Sequence, residues 1–175
     1  SFSSSTQNGD VWVYDLRSKR LAQVTQSDQA GIDPKTFVAP ELIKFKSFDG
    51  REIPAWYYKP KGASDVKVAS KETQASKSVS VTKPPRAPVI VSVHGGPEGQ
   101  SRPGFNALFQ YYLSRGYAIL DPNVRGSTGY GKTYTHLDDV EKREDSVKDL
   151  AAAHEWLKRS GSDPKRIAVI GGSYG

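Results

Sequence analysis

Gly171-Gly172-Ser173-Tyr174-Gly175 stands at the end of the chain, directly after the apolar run Ile167-Ala168-Val169-Ile170. A serine hydroxyl is a poor nucleophile until a neighbouring base takes its proton. Placing the serine between glycines straight after a buried strand forces a sharp turn into a helix and lifts the hydroxyl clear of the sheet. The flanking glycines leave room for torsions and close approaches that side chains would block. The chemistry implied is acyl transfer at Ser173, with the backbone N–H of Tyr174 receiving the developing negative charge. In this arrangement the acid and the histidine follow the serine in chain order, yet two residues follow it here. Both partners are therefore expected beyond Gly175, in a longer parent chain, and Ser1 in place of methionine points the same way.

A bare G-x-S-x-G arises often by chance. Its weight comes from its place after an apolar run and about eighty residues beyond His94-Gly95-Gly96-Pro97. That loop follows the strand whose successor supplies the second oxyanion donor in serine esterases and lipases. Paired glycines let the backbone pass close to a negative charge, so Gly95, Gly96 or the His94 side chain is a candidate donor, and the choice among them stays open. A reading of His94 as base with Asp121 as acid has the wrong chain order for this elbow. Asp121, Asn123 and Arg125 lie just past a strand's C-terminal end, where ligands bind in parallel sheets. Arg125 is a candidate substrate-binding residue, or else an ion-paired brace for its loop. His154 falls on an apolar helical stripe and reads as a packed core histidine, and His136 carries no signal. The three histidines are scattered without carboxylates at ligand spacing, so no metal site and no cofactor are expected.

The elements that must position these residues read as an α/β pattern. Val11–Asp15 and Leu21–Thr25 form a hairpin of a kind common in propeller blades, although one copy sets no period. Glu41–Phe48 and Arg51–Lys59 flank Asp49-Gly50, a pair that favours a tight I′ turn. Pro54 argues for an edge or a bulge in the second of these strands. Val89–Val93 is a run typical of a strand covered on both faces. A helix is predicted over Phe105–Ser114, a strand over Tyr117–Leu120, and a long loop from Asp121 to Tyr134. The next helix starts near Asp145 or Ser146, each a suitable N-cap. Its apolar face is predicted from the spacing of Val147, Leu150, Ala151, His154 and Leu157, and Gly161 ends it. Strand, helix, strand, helix, strand implies a parallel sheet with right-handed crossovers.

Composition sets limits. The 175 residues hold 36% hydrophobic and 10% aromatic residues, with no apolar run near the roughly 18 residues of a membrane-spanning helix. There is no cysteine, which excludes disulfides and thiolate metal sites. The net charge of +6 invites a nucleic-acid reading, but residues 61–87 carry six basic and two acidic residues, +4 of that total. That segment has no aromatic residue to stack on a base. It reads as a solvated, flexible basic loop, so neither nucleic acid nor membrane is an expected partner.

From Pro40 onward the sequence resembles the prolyl oligopeptidase family of serine peptidases, closest to its acylaminoacyl-peptidase and dipeptidyl-peptidase-like branch. The resemblance rests on "ELIKFKSFDGREIPAWYYKP", "VHGGPEGQSRPGFN", "LDPNVRGSTGYGKTY", "SVKDLAAAHEWLK" and "DPKRIAVIGGSYG". It implies a truncated α/β-hydrolase sheet over residues 40–175 preceded by the last strands of a β-propeller over residues 1–39. It matches Ser173 to the nucleophile and Tyr174 to an oxyanion donor. Some relatives place a tyrosine where His94 stands, so a Tyr-type oxyanion hole does not carry over. The 61–87 segment is longer than the family's usual link. The implied substrates are short peptides, and the expected location is cytoplasmic. A carboxylesterase and a non-catalytic propeller-containing binding protein are the alternatives, with the proline after Gly96 and the propeller-like hairpin favouring the peptidase. Without the downstream residues, the 175-residue piece alone is expected to be inactive.

Overall fold

The computed structural model describes residues 1–29, 31–62, 86–96 and 98–175. Pro97 and most of the expected basic loop, residues 63–85, lie outside the described residues. The chain opens with two small antiparallel pairs: β1 (Phe2–Ser4) with β2 (Gln7–Asp10), and β3 (Trp12–Asp15) with β4 (Arg20–Gln23). The second pair is the predicted hairpin, and the first carries no apolar alternation that would announce it. Asp10, buried at the end of β2, ties the two pairs together by accepting from Gln23 Nε2 (3.0 Å), Thr25 Oγ1 (3.0 Å) and the Ser27 N–H (2.8 Å).

The remaining strands build one five-stranded sheet from β5 (Glu41–Lys46), β6 (Glu52–Tyr58), β7 (Val89–Val93), β8 (Ala118–Pro122) and β9 (Ile167–Gly171), in the order β5-β6-β8-β7-β9. β7 pairs in parallel with β8 and with β9, as the crossover pattern requires, and the β5–β6 hairpin adds antiparallel against β8. The sheet is therefore mixed, with a parallel half carrying the loops of interest. Alternation along β8 explains its unbroken burial. Ala118 and Leu120 face a cluster with Val89, Val91, Ile53 and Phe45, covered by Ala153 and Leu157 of α3 (Arg143–Arg159). Ile119 faces the opposite side, with Tyr58 and with Phe109 and Leu113 of α1 (Ala107–Ser114).

Several expectations change in physical detail. Asp49-Gly50 does not form a two-residue turn. Gly50 N–H donates to Ser47 O (3.0 Å), Ser47 N–H to Arg51 O (2.8 Å), and Gly50 has φ 81°, the longer hairpin loop closed by a left-handed glycine. Pro54 lies neither at an edge nor at a break in the β5–β6 register, since it pairs with Lys44 between β5 and β8. Its carbonyl accepts the Asn123 N–H (2.9 Å), so its missing donor falls on that side, past the last paired residue of β8. α1 starts two residues later than predicted because the Asn106 side chain caps it, accepting from the Phe109 N–H (3.1 Å). α3 begins at Arg143, before Asp145, and buries Ser146, Asp149, Ala153 and Leu157. Val147, placed by spacing on the apolar face, is 64% exposed. His154 is likewise no core histidine: its side chain is 43% exposed beside Glu155. The buried stripe admits polar groups because it packs on a charged partner, described next.

Candidate active site

β9 delivers Ser173 in an unusual backbone state. Ser173 has φ 61°, a left-handed torsion that non-glycine residues rarely adopt, inside a turn closed by Gly175 N–H to Gly172 O (3.0 Å). A left-handed serine in a tight turn straight after a strand is a geometry that exposes its hydroxyl, and Ser173 is exposed. The glycines explain how the turn fits. A Cβ on Gly171 would stand 2.2 Å from the Gly175 carbonyl carbon, and one on Gly175 would stand 2.3 Å from Val93 O. A Cβ on Gly95 would stand 3.0 Å from Gly172 O and 3.2 Å from Ser173 Cβ. The two glycine-bearing segments singled out from the sequence therefore lie against each other, one after β7 and one after its parallel neighbour β9.

The β7 loop is held from below. Gly96 has φ 139°, and a side chain there would meet the Glu98 nitrogen at 2.6 Å. Asn123, fully buried past β8, accepts the Ser101 N–H (2.7 Å) and donates to Ser101 O (3.1 Å). Trp56 Nε1 donates to the same carbonyl (3.0 Å), and Thr128 N–H donates to Gly99 O (2.8 Å). His94 is fixed by both ring nitrogens: Nδ1 lies 2.8 Å from Gly95 O and Nε2 lies 2.8 Å from Ser127 Oγ. A carbonyl oxygen only accepts, so Nδ1 carries a proton, and Nε2 pairs with the Ser127 hydroxyl, which also reaches Val124 O (2.6 Å). The ring has no free N–H for a substrate oxygen. His94 thus packs as a group that shapes the loop through both ring nitrogens.

Tyr174 is anchored at its ring rather than left to swing. Its hydroxyl donates to Asp138 Oδ2 (3.4 Å), and the Arg143 guanidinium lies 5.0 Å from the ring centroid. Asp138 is 1% exposed, and burial pushes its carboxyl above the ordinary carboxylate range despite the Arg143 charge and the Tyr174 hydrogen bond. Gly126 allows this approach, because a Cβ there would fall 2.3 Å from Asp138 Oδ1.

Arg125 does not present its guanidinium to a ligand. Burial on the loop after β8 leaves it 3% exposed, with Nε and Nη2 on Asp149 (2.8–3.1 Å) and Nη1 and Nη2 on Asp49 (3.2 Å each). Its backbone N–H also donates to Asp149 Oδ2 (2.9 Å), and the Phe48 ring centroid is 4.6 Å from its guanidinium carbon. Burial opposes the charge, but the hydrogen bonds Arg125 donates to Asp149 and Asp49 outweigh it and hold the pKa above the usual arginine value. The substrate-binding expectation gives way to the brace, since this chain's own carboxylates occupy the donors a substrate would need. Arg125 joins α3 to the β5–β6 turn and so fixes the loop that carries Ser127.

Ser127, Asp138 and Asp149 were not singled out from the sequence. Asp149 carried a weak signal as a carboxylate on a predicted helix face, whereas Ser127 sits in a loop and Asp138 in a three-residue 3-10 turn, both too short for periodicity to apply. Among the described residues, no group of His, Cys, Asp and Glu forms a metal-binding cluster. No helix of the described residues is long and apolar enough to cross a membrane.

Residues 103–175 match the Prolyl oligopeptidase family. Dipeptidyl aminopeptidase BIII of Pseudoxanthomonas mexicana is 28% identical over 190 residues, 100% of this chain and 26% of that protein. Dipeptidyl peptidase family member 6 of Caenorhabditis elegans is 29% identical over 178 residues, 100% of this chain and 24% of that protein. Among solved structures, a puromycin hydrolase superposes with a TM-score of 0.72 at 29% identity, over 95% of this chain and 23% of that chain. These likenesses carry the α/β fold read from the sequence. The chain spans about a quarter of the length of the curated relatives it matches.

Proposed function

Residues 103–175 belong to the prolyl oligopeptidase family, and on that premise we propose that this chain carries the nucleophile and oxyanion half of a serine peptidase acting on short peptides. The observation that carries the reading is the left-handed Ser173, packed against Gly95 of the neighbouring loop. Ser173 Oγ attacks the substrate carbonyl and passes its proton to a histidine located after Gly175 in the parent chain. The carbonyl oxygen gains the negative charge and is met by the N–H groups of Tyr174 and of Gly95 or Gly96. Collapse of that intermediate expels the amine and leaves an acyl-enzyme, which water then cleaves by the same steps. The β3–β4 hairpin, with Val13, Tyr14 and Leu21 exposed, fits the close of a propeller blade in residues 1–39, which supports a parent that admits only short peptides.

A fluorophosphonate probe on the full-length protein tests this. Labelling that Ser173→Ala abolishes is the expected result, together with cleavage of short peptides. Absent labelling, or labelling that survives the substitution, overturns it. Turnover of p-nitrophenyl esters without any peptide cleavage would assign a carboxylesterase instead.

A further inference from the structure

β8 also brings a carboxylate to a place the acyl-transfer chemistry does not use. Asp121 is 7% exposed, and its Oδ1 accepts a hydrogen bond from the Ser101 hydroxyl (2.6 Å). Among the described residues nothing donates to its other oxygen, Oδ2. The carboxylate forms part of the wall of a pocket of about 260 Å³, which Tyr58, Phe105, Phe109 and His94 also line. Burial raises the Asp121 pKa to about 6 against the Ser101 hydrogen bond and the His94 charge, and Asp121 in turn adds to the burial that pushes Tyr58 to about 12. Arg102 is at the same pocket, but it is exposed and its Nε donates to Gln100 (2.7 Å).

A buried carboxylate with one oxygen short of a donor is costly in the charged form. A ligand bringing N–H donors and a positive charge relieves that cost, and aromatic rings around it add attraction for a cation. We propose that this pocket binds a primary ammonium group, held by Asp121 Oδ2 and walled by Tyr58, Phe105 and Phe109. His94 belongs both to the pocket wall and to the loop whose next residue, Gly95, lies against Ser173. A molecule anchored here thus touches the residue that precedes the Gly95–Ser173 contact. That link to a substrate rests on the peptidase reading, while the ammonium site itself does not. The ammonium comes from a peptide's free N-terminus or from a lysine side chain.

The test uses the full-length protein and n-butylammonium as probe, with n-pentanol as neutral comparison, read by saturation-transfer difference NMR. At pH 8, n-butylammonium is expected to give a signal that falls at least fivefold in Asp121→Asn, with thermal melts confirming that the variant is folded. Pentanol is expected to give none that depends on Asp121. In the wild-type protein the signal is expected to fall between pH 8 and pH 5 as the carboxyl protonates. The titratable and charged groups at this pocket are His94, Tyr58 and Arg102. Tyr58, pushed up to about 12, stays neutral over that range. Equal signals in wild type and variant, or a wild-type signal flat from pH 8 to pH 5, overturn the proposal. Peptide pairs then identify the source. A tenfold fall in kcat/KM caused by Asp121→Asn for unblocked but not N-acetylated peptides assigns the terminal amine. The same fall for lysine but not norleucine peptides assigns the side chain. Equal falls for charged and neutral members overturn the proposal. A protein that fails fluorophosphonate labelling yet shows the Asp121-dependent n-butylammonium signal loses the peptidase reading and keeps the site.

Discussion

At the scale of single residues, strain and crowding define the turn at Ser173. Ser173 with φ 61° adopts a torsion that glycine reaches freely. Ser173→Gly is therefore expected to stabilise the full-length protein by about 1 kcal/mol while abolishing fluorophosphonate labelling, and Ser173→Ala to abolish labelling without that gain. Equal denaturation midpoints for the two variants would count against a strained elbow. Asp121 gives a pH signature. Its folded-state pKa of about 6 lies above the 3.8 of a free carboxyl, so the cost of burying its charge is absent below about pH 4. That cost builds up as pH rises from about 4 to 6 and stays at about 3 kcal/mol above that. Asp121→Asn should raise stability at pH 8 and leave it unchanged at pH 4, by denaturant titration at both values. That the Gly95 and Ser173 segments would meet was legible, because each follows a strand of one parallel sheet. The role of Arg125 was not, because its carboxylates Asp49 and Asp149 lie 76 and 24 residues away and only the fold brings them together.

At the scale of elements, α3 shows how far periodicity reaches. Its end at Gly161 followed from the breaker, but its start came earlier than the predicted cap and the face was rotated, because spacing alone treats Val147 as core and Asp149 as surface. The sheet offers α3 both an apolar patch and the Arg125 guanidinium, so Asp149 is 0% exposed and Val147 is 64% exposed. Two substitutions on this helix separate the readings. Leu157→Ala, at a position 0% exposed, should cost about 2–5 kcal/mol, whereas Val147→Ala should change stability by less than about 0.5 kcal/mol. Arg125→Lys keeps the charge but not the forked geometry on Asp149 and Asp49, and is expected to cost about 3 kcal/mol. With the brace reading, KM for a short peptide stays unchanged in Arg125→Lys at a temperature where the variant is folded. A KM raised tenfold at equal stability would return Arg125 to the substrate.

At the scale of the whole molecule, the sheet is uneven in its cover. β6 and β8 are buried on both faces, but β9 leaves Val169 61% and Ile170 37% exposed and pairs on one side with β7 among the described strands. Unpaired strand edges with apolar side chains promote association. Residues 1–175 expressed alone are therefore expected to self-associate, and Val169→Lys to shift them toward monomer in light scattering. In the proposed reaction, residues 1–175 supply the nucleophile and the oxyanion amides, and the base comes from outside them. Loss of the base in a serine triad costs on the order of 10⁶ in kcat, so peptide turnover by residues 1–175 should be undetectable while the full-length protein turns over. Measuring both under one assay separates a missing base from a misplaced nucleophile. Adding the parent's downstream polypeptide in trans should restore turnover and Ser173 labelling together. Turnover by residues 1–175 alone, surviving Ser173→Ala, would mean that the hydroxyl at this elbow is not where the bond is made.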